Sequence, residues 1–129
     1  MPISTAVVIN TNTASAAAAP VQVSLLAVAG QTNYLCGFSV IGLGATAAAA
    51  NLPVTISGLA GTILPANGSL TLGLIQVPAN SVTTAISPLV MSFQPPIPAS
   101  APATAITLNV PIFGAGNTMV IATVWGYTQ

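Results

Sequence analysis

Hydrophobic and polar positions alternate along most of the chain. The alternation is clearest in "VQVSLLAV" (21–28), "SLTLGLIQV" (69–77) and "AITLNVPIF" (105–113). A period of two places one set of side chains on one face of a strand and the other set on the opposite face. Read this way, the chain has candidate strands at Thr5–Asn10, Val21–Ala29, Tyr34–Ile41, Pro53–Leu59, Ser69–Val77, Ser81–Phe93, Ala105–Pro111 and Thr118–Tyr127. Turn-forming segments separate them: "AGQTN", "PANGS", "VPANS", "QPPIPASAPA" and "GAGN". In "PANGS", Asn67-Gly68 is the strongest tight-turn signal, because both residues tolerate positive φ. About eight short strands with regular punctuation predict an all-β fold, a single-domain antiparallel β-sandwich of the jelly-roll kind. The domain covers 1–129, with 1–20 expected as an extended N-terminal arm.

Helical signals are short. "TASAAAAP" (Thr13–Pro20) and "ATAAAAN" (Ala45–Asn51) are rich in alanine, the best helix former. Each is expected to make one or two turns at most before a proline stops it. The second follows Gly42-Leu43-Gly44-Ala45-Thr46-Ala47, which has the G-x-G-x-x-A spacing of a dinucleotide-binding turn. That motif works only inside a βαβ unit of ~30 residues, with an acidic residue ~20 positions on to hold the ribose. The chain contains no acidic residue, and "PVTISGLAG" already reads as the next strand. Gly42 and Gly44 are therefore expected at a turn or bulge ending a strand.

Composition changes the picture most. Among 129 residues, Lys+Arg is 0, Asp+Glu is 0 and His is 0. A typical soluble domain carries roughly 25% charged residues. Without carboxylates or histidines, acid–base pairs, Ser-His-Asp arrangements and His or Cys metal clusters cannot be built, and the serines and threonines have no base to activate them. No enzyme activity, cofactor or metal is expected. Nucleic acid is excluded as a partner because that affinity is largely cationic. Cys36, in the apolar "NYLCGFSV", is expected as a small buried hydrophobe, with no neighbour that would make it reactive.

A mean hydropathy of +0.92 raises the question of a membrane. A spanning helix needs about 20 mostly apolar residues in a row, and the 11 Gly and 11 Pro interrupt every apolar run. Aromatic residues make up 5%, too few for the two interfacial girdles of a membrane barrel. Residues 1–19 lack the basic region of a signal peptide. No membrane partner is expected, and Asn67-Gly68-Ser69, although a glycosylation sequon, reads as a turn.

An uncharged surface gains no repulsion between copies, so association is the expected function. A homo-oligomer is expected, because cyclic symmetry lets apolar surface close on itself. Trp125 and Tyr127, in "VWGYT", alternate on one strand face and are the candidate interface or ligand-stacking residues.

From Thr32 onward the chain resembles a known group. "TNYLCGFSVIGLGATAAAA", "SPLVMSFQPPIPASAPATAITLNVPIFGAGNT" and the terminal "VIATVWGY" are similar to small β-rich proteins encoded among the structural genes of tailed bacteriophages. The ordered parts are an N-Y-L-x-G-F strand, P-I-P-A-S with T-A-I four residues on, G-A-G-N-T and a closing G-Y. The resemblance implies a virion protein, assembled in the host cytoplasm and exposed outside it. External capsid decoration or an accessory head or tail position is the implied role, with the major capsid protein or other virion proteins as partners, and a trimer is the first stoichiometry because decoration proteins sit well on threefold sites. The departure is the complete lack of charge. Two other classes compete: an extracellular or cell-surface carbohydrate-binding or adhesion module gripping through Trp125 and Tyr127, and a self-assembling filament subunit.

Overall fold

The fold is taken from a computed structural model, which describes residues 8–16, 19–43, 50–60, 69–77, 86–113 and 119–129. Eight strands are present: β1 (Val8–Ala16), β2 (Val21–Leu25), β3 (Asn33–Leu43), β4 (Ala50–Ser57), β5 (Ser69–Val77), β6 (Leu89–Pro98), β7 (Ile106–Val110) and β8 (Met119–Thr128). They form two four-stranded antiparallel sheets packed together as a β-sandwich. The first sheet has the order β1-β8-β3-β6 and the second β2-β7-β4-β5. The wiring is nested. β1 pairs with β8, β2 with β7, β3 with β6 and β4 with β5, while β3–β8 and β4–β7 pairings join these hairpin-like units into sheets.

Alternation produces the core directly. β8 buries Val120, Ala122 and Val124 and turns the residues between them outward; β7 buries Ile106, Leu108 and Val110. These inner faces meet with Leu35, Phe38 and Val40 of β3, Val21, Val23 and Leu25 of β2, and Val54 and Ile56 of β4. Each of these valine, leucine, isoleucine and phenylalanine side chains contributes about 1.5–3 kcal/mol on burial. One buried polar group organises an end of the sandwich. The Asn33 amide Nδ2 donates to the carbonyls of Leu25, Leu26 and Thr104 at 3.3, 3.0 and 2.9 Å, holding the β2–β3 and β6–β7 connections together.

Several sequence expectations change. Thr13–Ala16, expected to begin a helical turn, continue β1 opposite Thr123–Val120. Pairing along a whole strand outweighs local alanine propensity. The residues expected as an N-terminal arm thus include Val8–Ala16 as an edge strand. Ala50 and Asn51, placed with the second alanine-rich turn, belong to β4. Gly42 lies within β3, paired with Val120, rather than in a turn. Its role is close approach: a Cβ there would lie 2.5 Å from the Met119 carbonyl oxygen and 3.2 Å from the Phe113 ring. "QPPIP", expected as a connector, carries β6 to Pro98. An edge strand tolerates prolines because one side of its ladder needs no donor. The Asn67-Gly68 turn, Gly44, Ala17, Ala18 and Ala45–Ala49 lie outside the described residues.

Candidate functional site

β8 presents Met119, Ile121, Thr123, Trp125 and Tyr127 on the outer face of the first sheet. Register fixes their neighbours. Trp125 lies opposite Gly37, which in turn faces Ser92; Thr123 lies opposite Ser39, which faces Val90; Tyr127 lies opposite Tyr34. Both expected residues therefore share one face, each half-buried. Tyr127 stacks on Tyr34 with ring centroids 4.8 Å apart and planes 12° from parallel. Trp125 packs against Gly37: a Cβ at that glycine would be 2.5 Å from indole Cζ2 and 2.5 Å from the Met91 carbonyl oxygen. The missing side chain is what lets the indole settle on the backbone.

A bulge shapes this region. The register shifts between Leu35 and Gly37, which face Ile97 and Ser92. On β6 the chain bows out through Phe93–Pro96 opposite the single residue Cys36. The bulge takes Cys36 out of strict alternation, so it is half-buried rather than buried as expected. Phe93, at the start of the bow, packs on Phe38 with centroids 6.3 Å apart.

The rest of the face is apolar or hydroxylated. Val90, Met119 and Ile41 are 58%, 47% and 41% exposed. Thr13 and Thr123 hydroxyls bond each other at 3.0 Å beside them. The outer face of the second sheet differs. There the Gln22 amide donates to Asn109 Oδ1 at 2.6 Å, and the hydroxyls of Ser24 and Thr107 bond at 2.8 Å. A shallow groove of about 410 Å³ runs beside that ladder, lined by Pro20, Gln22, Pro53, Thr55, Asn109 and Pro111.

Only hydroxyls, amides, one indole N–H, apolar surface and one thiol are available to these faces. They can stack, pack and donate neutral hydrogen bonds. Tyr34 and Gly37 are the members of the site that sequence reasoning missed. Both lie in "NYLCGF", and what makes them part of the site is their pairing with β8 across the sheet. No family model matches the chain, and no curated protein matches it.

Proposed function

We propose that this β-sandwich is a jelly roll, and that the chain is a structural virion protein, an external capsid decoration or accessory head or tail component. It attaches through the outer face of the first sheet. The nested strand order supports the first part, since two four-stranded sheets wired as nested pairs suit the jelly roll, an architecture of viral capsid and lectin domains. One observation carries the second. Ile41, Val90 and Met119 lie exposed on the same outer face as half-buried Trp125, a face on which no charge is present. Contiguous exposed apolar surface marks an interaction site. The partner it suits is another uncharged, flat protein surface, such as that of the major capsid protein or a neighbouring virion protein. The chain also self-associates; the threefold expectation rests on placement symmetry alone, and no residue supports it specifically.

Co-sedimentation tests the attachment. Virions stripped of this protein should bind the purified chain saturably, with an affinity unchanged between low and high salt, because no ion pair is screened. The Ile41→Lys/Val90→Lys variant should not bind. Equal binding by that variant, or binding that collapses in salt, would overturn the assignment.

A second reading has one specific observation behind it. An indole laid on a glycine, on a face shared with Ser39, Ser92 and Thr123, suits a neutral sugar ring stacking with hydroxyl partners. Saturable quenching of Trp125 fluorescence by a neutral oligosaccharide would favour this adhesion role over capsid attachment.

A further inference from the structure

The sandwich has four edge strands, and three are blunted without the use of charge. On one side β1 lies against β2. There Asn12 serves both edges at once. Its Oδ1 accepts from the Thr13 backbone N–H at 3.0 Å, and its Nδ2 donates to the Ser24 carbonyl at 3.0 Å. A donor on the edge of the first sheet and an acceptor on the edge of the second are thereby consumed by one amide. On the other side β6 carries Pro95, Pro96 and Pro98 and bows away from its neighbour. Proline and irregularity both prevent further strand pairing.

β5 is the exception. It is the terminal strand of the second sheet and contains neither proline nor charge. Its bulge lies at Leu72, between the pairs Val54–Gly73 and Thr55–Thr71, so Gly73–Val77 is regular. Among the described residues nothing pairs with its outer edge. A groove of about 390 Å³ opens beside it, with Ile75 and Ile86 at its base and Leu74, Gln76, Pro88 and Leu89 at its walls.

We infer that the β5 edge binds a second copy of itself, antiparallel about a twofold axis at Ile75, joining the second sheets of two protomers into one. This rests on the reading of the chain as a self-associating subunit and names the surface used. The occupant is argued from the segment's own pattern. About Ile75 the regular half is self-complementary: Gly73 faces Val77 of the other copy, a missing side chain opposite a branched one, and outward Leu74 faces outward Gln76. A twofold contact of this kind is isologous and closes. The absence of charge in both copies removes the repulsion that usually protects an edge. The stoichiometry it gives is a dimer, where symmetry of placement alone suggested a trimer.

The test is mass measurement by light scattering, with paired charge variants at Leu74 and Gln76, both exposed. Wild-type chain should run at twice the 12.6 kDa of the monomer. Leu74→Lys/Gln76→Lys puts lysine opposite lysine twice and should weaken dimerisation at least about tenfold, since like charges directly opposite destabilise a pair. Leu74→Lys/Gln76→Glu puts lysine opposite glutamate in this register and should restore the dimer, now with salt sensitivity. Val90→Lys, on the other sheet, should leave the mass unchanged. Amide exchange on wild type keeps the test independent of the variants: β5 amides should gain protection as protein concentration rises. A wild-type monomer at micromolar concentration would overturn self-association itself. A wild-type trimer, a dimer indifferent to both lysines, or one broken by Val90→Lys would overturn the β5 contact while leaving self-association in place.

Discussion

On the second sheet the outward side chains bond one another; on the first they mostly do not. Gln22 with Asn109 and Ser24 with Thr107 form cross-strand pairs that satisfy their own polar groups. Across the first sheet the corresponding positions hold Trp125, Tyr127, Tyr34, Ile41 and Val90 together with Ser39 and Ser92, and Thr13 and Thr123 form a hydroxyl pair among them. The same inner-face physics builds both sheets, so the outer faces are where they diverge. In most proteins charged residues mark the solvent side. Here the second sheet shows mainly amides and hydroxyls, with Leu74 exposed on its edge strand, and the first mainly aromatic and aliphatic groups set among Ser39, Ser92 and Thr123. An uncharged surface is therefore not a uniform one.

The sharpest way to break this contrast is to put a charge on each face. Val90→Lys or Ile41→Lys should weaken attachment to a partner by about a hundredfold or more, because burying an unpaired charge costs several kcal/mol. Gln22→Lys or Thr55→Lys on the second sheet should change it less than about twofold, as expected of a solvent-facing position. Binding isotherms on all four variants decide between the faces. Equal losses would erase the difference.

Gly37→Ala addresses the aromatic site itself. The new methyl would meet both the Met91 carbonyl and the Trp125 indole. Overpacking of this kind costs about 1–3 kcal/mol. A melting temperature lower by roughly 4–12 °C is expected, with a red-shifted tryptophan emission as the indole lifts toward water. Unchanged emission would mean that Trp125 does not depend on Gly37.

A smaller effect is expected on the polar face. In a double-mutant cycle of Ser24→Ala and Thr107→Val, the coupling should be about 0.5–1 kcal/mol, the net worth of an ordinary hydrogen bond. Chemical denaturation measures it. A coupling of zero would leave the polar ladder without a stabilising role.

The smallest effect is that of pH. Acid unfolds most proteins by protonating paired carboxylates and charging buried histidines, and this chain has neither. The slope of stability against pH follows the difference in protons bound by the unfolded and native states. With almost no groups to create that difference, the slope is near zero. Thermal melts should agree within a few degrees from about pH 2 to 7 for both wild type and the second-sheet variants that add no charge. A fall of about 15 °C would exceed what this chain's own groups can supply in a domain of this size.

Much of the fold was legible in the chain because a β-sandwich is written in a local signal. "VQVSL" and "AITLNV" alternate in the order that their burial follows, so β2 and β7 could be placed from the pattern alone. The misreadings share a cause. Thr13–Ala16 reads as helical until β8 is beside it, and Pro95–Pro98 reads as a loop until its place at a sheet edge is known. Both depend on pairing with residues far away in the chain. The site divides the same way. Trp125 and Tyr127 stand out by residue type, and their shared face follows from a period of two. Tyr34 and Gly37 become legible only through register with β8, which a bulge at Cys36 shifts. Asn12 and Asn33 gave no signal, since an asparagine joining two edges or three carbonyls looks like any turn residue.

The proposed virion attachment is tested most sharply by reconstructing a phage particle assembled with this protein, at a resolution that places side chains. Trp125, Val90, Ile41 and Met119 should be buried against a capsid or tail surface on the particle's exterior, with the Gln22–Asn109 and Ser24–Thr107 ladder facing solvent. A subunit found with that ladder buried and the aromatic face open to water, or lining the genome cavity, would contradict it.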